Sequence, residues 1–222
     1  MTRRGNLDDL LVVLPAWVVA RLLVGVGWLV ARMLADGNGP HALGRGLLAW
    51  DGDWYQSLLV HGYDGMPLEG VRFFSGYVLL GRLVELVLPG GPAVALLVVA
   101  NLGTLLAMVL LYRLVVLESA DAGLARRAVW ALALFPPAFV LTWAYAEGPF
   151  LAFVVGCLLL LRRERWWWAA ALAAAAALVS PLGWSSLMTV MLRWCSAMIA
   201  SISLACLEVI CSAATYSSAL RC

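Results

Sequence analysis

Two carboxylates spaced two apart, Asp51 and Asp53, stand among aromatic residues in the string Leu47-Leu48-Ala49-Trp50-Asp51-Gly52-Asp53-Trp54-Tyr55. Acids beside aromatic rings suit one kind of chemistry in particular. Ring faces such as Trp54 and Tyr55 stack on a sugar, while a carboxylate accepts a hydroxyl proton as general base. The alternative is anchoring, with Trp and Tyr at the lipid headgroup level and Asp capping a short helix. On a strand the two acids share a face, on a helix they diverge, and in a turn both can point into one pocket. As divalent-ion ligands the pair is an incomplete set, with no obvious third acid, so neither a metal nor a cofactor is expected. His61 is suited to hold a phosphate or support the base. Arg45, Arg72 and Arg82 are the arginines of the stretch 36–91 and the natural contacts for a lipid phosphate. Farther on, Thr142-Trp143-Ala144-Tyr145-Ala146-Glu147 ends in an acid that sits either at a membrane interface or in a polar cavity.

These residues are set in a very apolar chain. Of 222 residues 64% are hydrophobic and 13% charged, and the mean hydropathy is +0.93. A soluble domain averages about 45–50% apolar and roughly 25% charged, so an ordinary soluble domain is excluded, as are disorder and a disulfide-built scaffold. The net charge of +2 gives no reason to expect a nucleic-acid partner. Charge-free runs separated by short charged gaps predict an all-α, polytopic transmembrane protein whose partner is the lipid bilayer.

Spans are expected at Leu10–Leu34, Ala93–Leu117, Ala128–Trp143 (interrupted by Pro136-Pro137), Gly148–Leu161 and Trp166–Val179. Further apolar pieces follow at Leu182–Leu192 and from Trp194 to Ala214. The first run is too long for a signal peptide and reads as a retained helix. Arg3-Arg4, Arg126-Arg127 and Arg162-Arg163-Glu164-Arg165 mark the cytoplasmic side by the positive-inside rule. That assignment holds only if Val78–Leu88, about 17 Å as a helix, lies along the outer surface. The expected organisation is therefore a transmembrane module over 1–192 with its outer loop at 36–91, a divergent segment at 193–222, and a cytoplasmic N-terminus in the cell membrane.

Leu48-Ala49-Trp50-Asp51-Gly52-Asp53-Trp54-Tyr55, His61-Gly62-Tyr63, Arg72-Phe73-Phe74, Leu134-Phe135-Pro136-Pro137-Ala138-Phe139 and Tyr145-Ala146-Glu147 together resemble the bacterial relatives of the GPI mannosyltransferase 2 (PIG-V-like) family. Its members are integral-membrane glycosyltransferases of the GT-C architecture. The likeness covers roughly residues 10–184. It implies a GT-C-like fold and a polyprenyl-phosphate sugar donor, usually of mannose. It also implies an acceptor hydroxyl on a glycan, lipid or protein, and inversion by single displacement. Asp51 is then the base, with Asp53 supporting it or close to the sugar. Glu147 matches the acid of the next outer motif, and Arg72 and His61 are the first choices to meet the phosphate. Two departures stand out: Phe73-Phe74-Ser75-Gly76-Tyr77 lacks the family's prolines, and Ser180 replaces an expected Arg. After Trp184 the character shifts to Ser, Cys and Thr, where a longer chain with more spans is expected. The alternatives are a catalytically inactive or truncated membrane protein or subunit, and a transporter, which rests on broken helices and the intramembrane Arg21.

Overall fold

The longest apolar runs form the longest helices. A computed structural model describes residues 4–35 and 41–180, and every element among them is helical, with no strand. Helix α1 covers Arg4–Leu34 and α5 covers Gly91–Ser119. Within them Leu7–Leu34 and Gly91–Ser119 are long and apolar enough to cross a membrane. The others are shorter: α2 His41–Arg45, α3 Asp51–His61, α4 Ser75–Glu85, α6 Ala122–Leu134, α7 Glu147–Arg162 and α8 Trp166–Val179. The expected pieces at Leu182–Leu192, at Trp194–Ala214 and over 193–222 lie outside the described residues.

One expectation needs correction. Ala128–Trp143 does not form a single interrupted helix. Helix α6 starts earlier, where the Asp121 side chain accepts hydrogen bonds from the Gly123 and Leu124 amides at 2.7 and 3.1 Å, satisfying donors that the first turn leaves open. It ends at Leu134, because Pro136 and Pro137 lack the amide hydrogens that would continue it. The chain then tightens into a 3-10 turn over Pro136–Leu141, and Trp143 lies beyond it. The segment expected to lie along the surface is also helical, as α4. Its Tyr77 is fully buried and donates to the Leu96 carbonyl of α5 at 2.8 Å.

Helix directions follow from the contacts. Asp9 of α1 pairs with Arg113 of α5 at 2.7 Å, and the Trp17 indole donates to the Asn101 carbonyl at 3.1 Å, so α1 is antiparallel to α5. Helix α6 returns after Ala120, whose left-handed φ of 54° closes α5. Helix α7 runs parallel to α5, with Gly148 against Ala100 and Thr104 at one end and Arg162 paired with Glu118 at the other. Helix α8 comes back beside α7. Arg113, Arg126, Arg127, Arg162, Arg163 and Arg165 therefore collect at one end of the bundle. The segment from α2 to α4 and the hairpin 142–147 occupy the other end. There Tyr55, Leu58, Phe73, Tyr77, Leu96, Val99, Ala100, Ala144, Ala146 and Val179 form one buried cluster.

Helices α5 and α7 meet backbone to backbone. A methyl group on Gly103 would stand 2.6 Å from the Pro149 nitrogen, and one on Gly148 would collide with the Ala100 carbonyl oxygen. Gly148→Ala should therefore destabilise the protein by about 1–3 kcal/mol, the usual cost of overpacking a close contact. Gly25→Ala is the control, since a methyl there meets nothing within 4 Å, and it should be neutral or mildly stabilising. Thermal unfolding of both variants in detergent distinguishes a true helix contact from a merely apolar sequence.

Candidate active site

Helix α3 begins at Asp51, and a helix separates residues two apart by about 200°. The two acids therefore diverge. Asp53 turns outward and pairs with Arg45, whose guanidinium also donates to Gln56 Oε1 at 3.0 Å. Asp51 turns inward, to a cavity of about 290 Å³ lined by Tyr55, Arg72, Phe73, Glu147, Phe150 and Ser180 among others. That volume sits at the small end of ligand sites, which run roughly 300–1,000 Å³. The Asp51 carboxylate is not a helix cap, because Trp50 holds the cap position and no side chain caps the helix.

Four candidates from the sequence thus meet in one cavity, delivered by separate segments: Asp51 and Tyr55 from α3, Arg72 from the 3-10 turn Leu68–Arg72, and Glu147 from the first turn of α7. Three do not reach it. Asp53 is held by Arg45. His61 is the last residue of α3, exposed and nearly three turns from Asp51. Trp54 stacks on Phe73 with centroids 5.8 Å apart and supports the wall from behind. Arg72 lies over the Phe73 ring at 5.0 Å, which keeps its guanidinium at the cavity while most of the side chain stays in the open.

Electrostatics follow from this partial enclosure. Burial pushes the Asp51 carboxyl above its ordinary value, and the nearby Arg72 charge pulls it part of the way back. Burial also raises Glu147; a backbone hydrogen bond at its own position opposes this, and Asp51 adds a like-charge push upward. Tyr55 is raised by burial and then by both carboxylates, and Tyr145 is pushed up to about 12 mainly by burial. Both phenols stay protonated near neutral pH and act as donors. With their carboxyls raised, Asp51 and Glu147 are stronger proton acceptors than ordinary carboxylates. Among the described residues no group of three or more His, Cys, Asp or Glu gathers where it could hold a metal ion.

Sequence reasoning missed part of the wall. Phe150 sits one turn after Glu147 on α7, inside an apolar run with no mark to distinguish it. Trp50, which has no distinct role in the sequence reading, adopts a positive φ of 53° and stacks on Trp143 with centroids 4.9 Å apart and planes 11° from parallel. Such a backbone costs of order 1–3 kcal/mol, and an aromatic pair offsets about 0.5–1.5 kcal/mol of that. The stack joins the residue before Asp51 to the hairpin that carries Glu147. Next to it a second, apolar groove of about 500 Å³ runs between α1 and the Pro136 turn, lined by Leu23, Trp28, Trp50, Phe135 and Trp143 among others.

The raised acids have a consequence for stability. A carboxyl whose folded value exceeds its unfolded one stabilises the fold below the unfolded value, and this contribution is lost as pH rises through the folded value. At pH 7–8 ionised Glu147 therefore weighs against the fold. Glu147→Gln should melt at a higher temperature than the parent at that pH, and the gap should close as pH falls below the ordinary carboxylate range. Thermal scans of the two proteins across pH 4–8 give the comparison; a gap that widens toward acid would mean Glu147 is held ionised by a favourable partner.

No family model, curated protein or solved structure compared with this chain matches it.

Proposed function

We propose that the chain is a multi-pass membrane glycosyltransferase, of GT-C architecture, that moves a hexose from a polyprenyl-phosphate donor to an acceptor hydroxyl. Mannose is the sugar the sequence resemblance favours. The observation that carries this reading is the convergence of Asp51, Arg72 and Glu147 from three segments into one small, mostly apolar cavity. That cavity lies at the end of the bundle opposite the arginine-rich turns, which the positive-inside rule puts in the cytoplasm. The active face is then the outer one, and the N-terminus is cytoplasmic. Helices α1 and α5 cross the membrane, and α6 with its Pro136 turn, α7 and α8 make the remaining passes of a thinner wall. Helices α3 and α4 lie at the outer interface.

In the reaction the acceptor oxygen attacks the anomeric carbon from the face opposite the lipid phosphate. Its proton passes to Asp51, the new carbon–oxygen bond forms, and the old bond breaks with its electron pair leaving on the phosphate. Phosphate is a competent leaving group without a protein acid, and Arg72 offsets the charge that develops on it. Glu147 and the Tyr55 phenol are placed to hold sugar hydroxyls, and Phe150 and Phe73 exclude water so that transfer outruns hydrolysis. The donor's isoprenoid chain fits the apolar groove beside Trp50, which adjoins the cavity at the Trp50–Asp51 peptide. Asp53 is left with the task of holding Arg45, and His61 has none in this scheme. The transporter alternative draws on Arg21, whose guanidinium has a structural use in its bonds to Asn101 and Leu141; flux through proteoliposomes without sugar transfer would favour it.

The test is sugar transfer from a synthetic polyprenyl-phosphate mannose by the full chain in nanodiscs. Asp51→Asn should lower turnover by about 10²–10⁴-fold, the usual worth of a general base, while Asp53→Asn keeps most of it. Normal turnover in Asp51→Asn rejects Asp51 as the base. No transfer by the parent protein, with an acceptor mixture drawn from membranes, rejects the reading as a whole.

A further inference from the structure

Arg21 stands well inside the more exposed of the two long apolar helices, where a charge is costly and is retained only with partners or a task. Its partners are specific. Nε donates to Asn101 Oδ1 at 2.9 Å, Nη2 to the Leu141 carbonyl at 3.1 Å and Nη1 to the Trp17 carbonyl at 3.3 Å, with the guanidinium 4.3 Å above the Trp17 ring. Asn101 in turn donates from Nδ2 to the Thr142 carbonyl at 3.0 Å. Thr104 Oγ1 donates within reach of the same Leu141 carbonyl at 2.8 Å and of the Ala100 carbonyl at 2.9 Å. The carbonyls of Leu141 and Thr142 close the 3-10 turn, where a helix end leaves acceptors unfilled. Donors from α1 and α5 fill them.

From that anchor the chain has only the residues 143–146 to cross before Glu147. Over this stretch the Ala144 amide donates to the Leu47 carbonyl at 2.9 Å, and Trp143 stacks on Trp50. The hairpin is thus the surface against which the approach to Asp51 is registered. Its own side chains add little: Thr142 Oγ1 and Trp143 Nε1 are buried without a hydrogen-bond partner among the described residues. At its far end Gly148 rests on Ala100 and Thr104, so both ends of the hairpin are fixed on one turn of α5.

We infer that Arg21, acting with Asn101 and Thr104, is a positioning residue that fixes the hairpin 142–147 and thereby sets Glu147 against Asp51. Arg21 is not among the residues that line the cavity, and its hydrogen bonds go to Asn101, Trp17 and Leu141. Its planar fork serves Asn101 and Leu141 together, which a single ammonium cannot reproduce in full. The inference concerns the site of the proposed transferase, and only its kinetic arm rests on that reading.

Hydrogen exchange on the full chain in nanodiscs tests it, with the Ala144 amide as reporter. Arg21→Met should speed exchange at Ala144 by about tenfold, the effect of losing a hydrogen bond or two that hold a local structure shut. Amides within 105–115 and 150–160 should keep their protection. Arg21→Lys should recover part of the loss, and Thr104→Val should act in the same direction on its own. In the transfer assay Arg21→Met should lower kcat and leave KM for the donor unchanged. Unchanged exchange at Ala144 in both Arg21→Met and Thr104→Val overturns the inference, as does loosening spread evenly through α5 and α7. If Arg21→Met does not fold, Thr104→Val decides alone. A parent protein without transferase activity removes the function proposed above, whereas the exchange result still decides the role of Arg21.

Discussion

The site depends on a few buried polar bonds in a bundle that is otherwise held by apolar packing. Apolar packing is non-directional: it brings helices together without choosing where along their length a loop should stop. The Leu141 and Thr142 carbonyls, answered by Arg21, Asn101 and Thr104, supply that choice. The close approach of α7 to α5 supplies the second fixed point, because Gly148 lies against Ala100 and Thr104 and Gly103 against Pro149, with no room for a side chain on either glycine. Between the two points the chain is too short to wander. Glu147 emerges at one height on α5, next to the segment that presents Asp51.

Placing two carboxylates in one half-buried cavity works against folding, since burial raises both and Asp51 adds a like-charge push on Glu147. Natural proteins keep such arrangements where chemistry needs them. Arg72 moderates the repulsion from the side, yet its exposure leaves it available to an incoming anion. The strained Trp50 has the same character: its backbone is unfavourable by itself and is kept by the stack on Trp143. The acid pair, the strained Trp50 and the polar anchor fall within the same end of the bundle, whereas the opposite end carries ion pairs between helix termini, Asp9 with Arg113 and Glu118 with Arg162.

Much of this was legible from residue types. The helical class followed from the apolar runs, and Trp166–Val179 has the bounds its composition suggests. The short segment near Val78 is a separate helix packed on α5 rather than a continuation of a long one. The divergence of Asp51 from Asp53 follows from helical geometry once a helix is known to start at Asp51. What sequence could not supply was that start, because Trp50 before it is neither a capping residue nor a glycine. Nor could it separate His61 from the site, since nearness in a motif says nothing of the three helical turns between them. Pro136-Pro137 was recognised as a break, but its consequence, an early end to α6 and a 3-10 turn, depends on which carbonyls find donors. Asn101 and Phe150 carry no local mark at all; each matters only through what a distant segment places beside it.

The account stands on the side of the membrane that the Asp51 cavity faces. Asp53, exposed beside it and outside the proposed chemistry, offers a handle. In a background with the native cysteines replaced by serine, Asp53→Cys can be treated with a membrane-impermeant maleimide in right-side-out and inverted vesicles. The account predicts labelling in right-side-out vesicles, with a cysteine introduced beside Arg163 labelled only in inverted ones. Labelling of position 53 only in inverted vesicles would put the cavity on the arginine-rich side and contradict it.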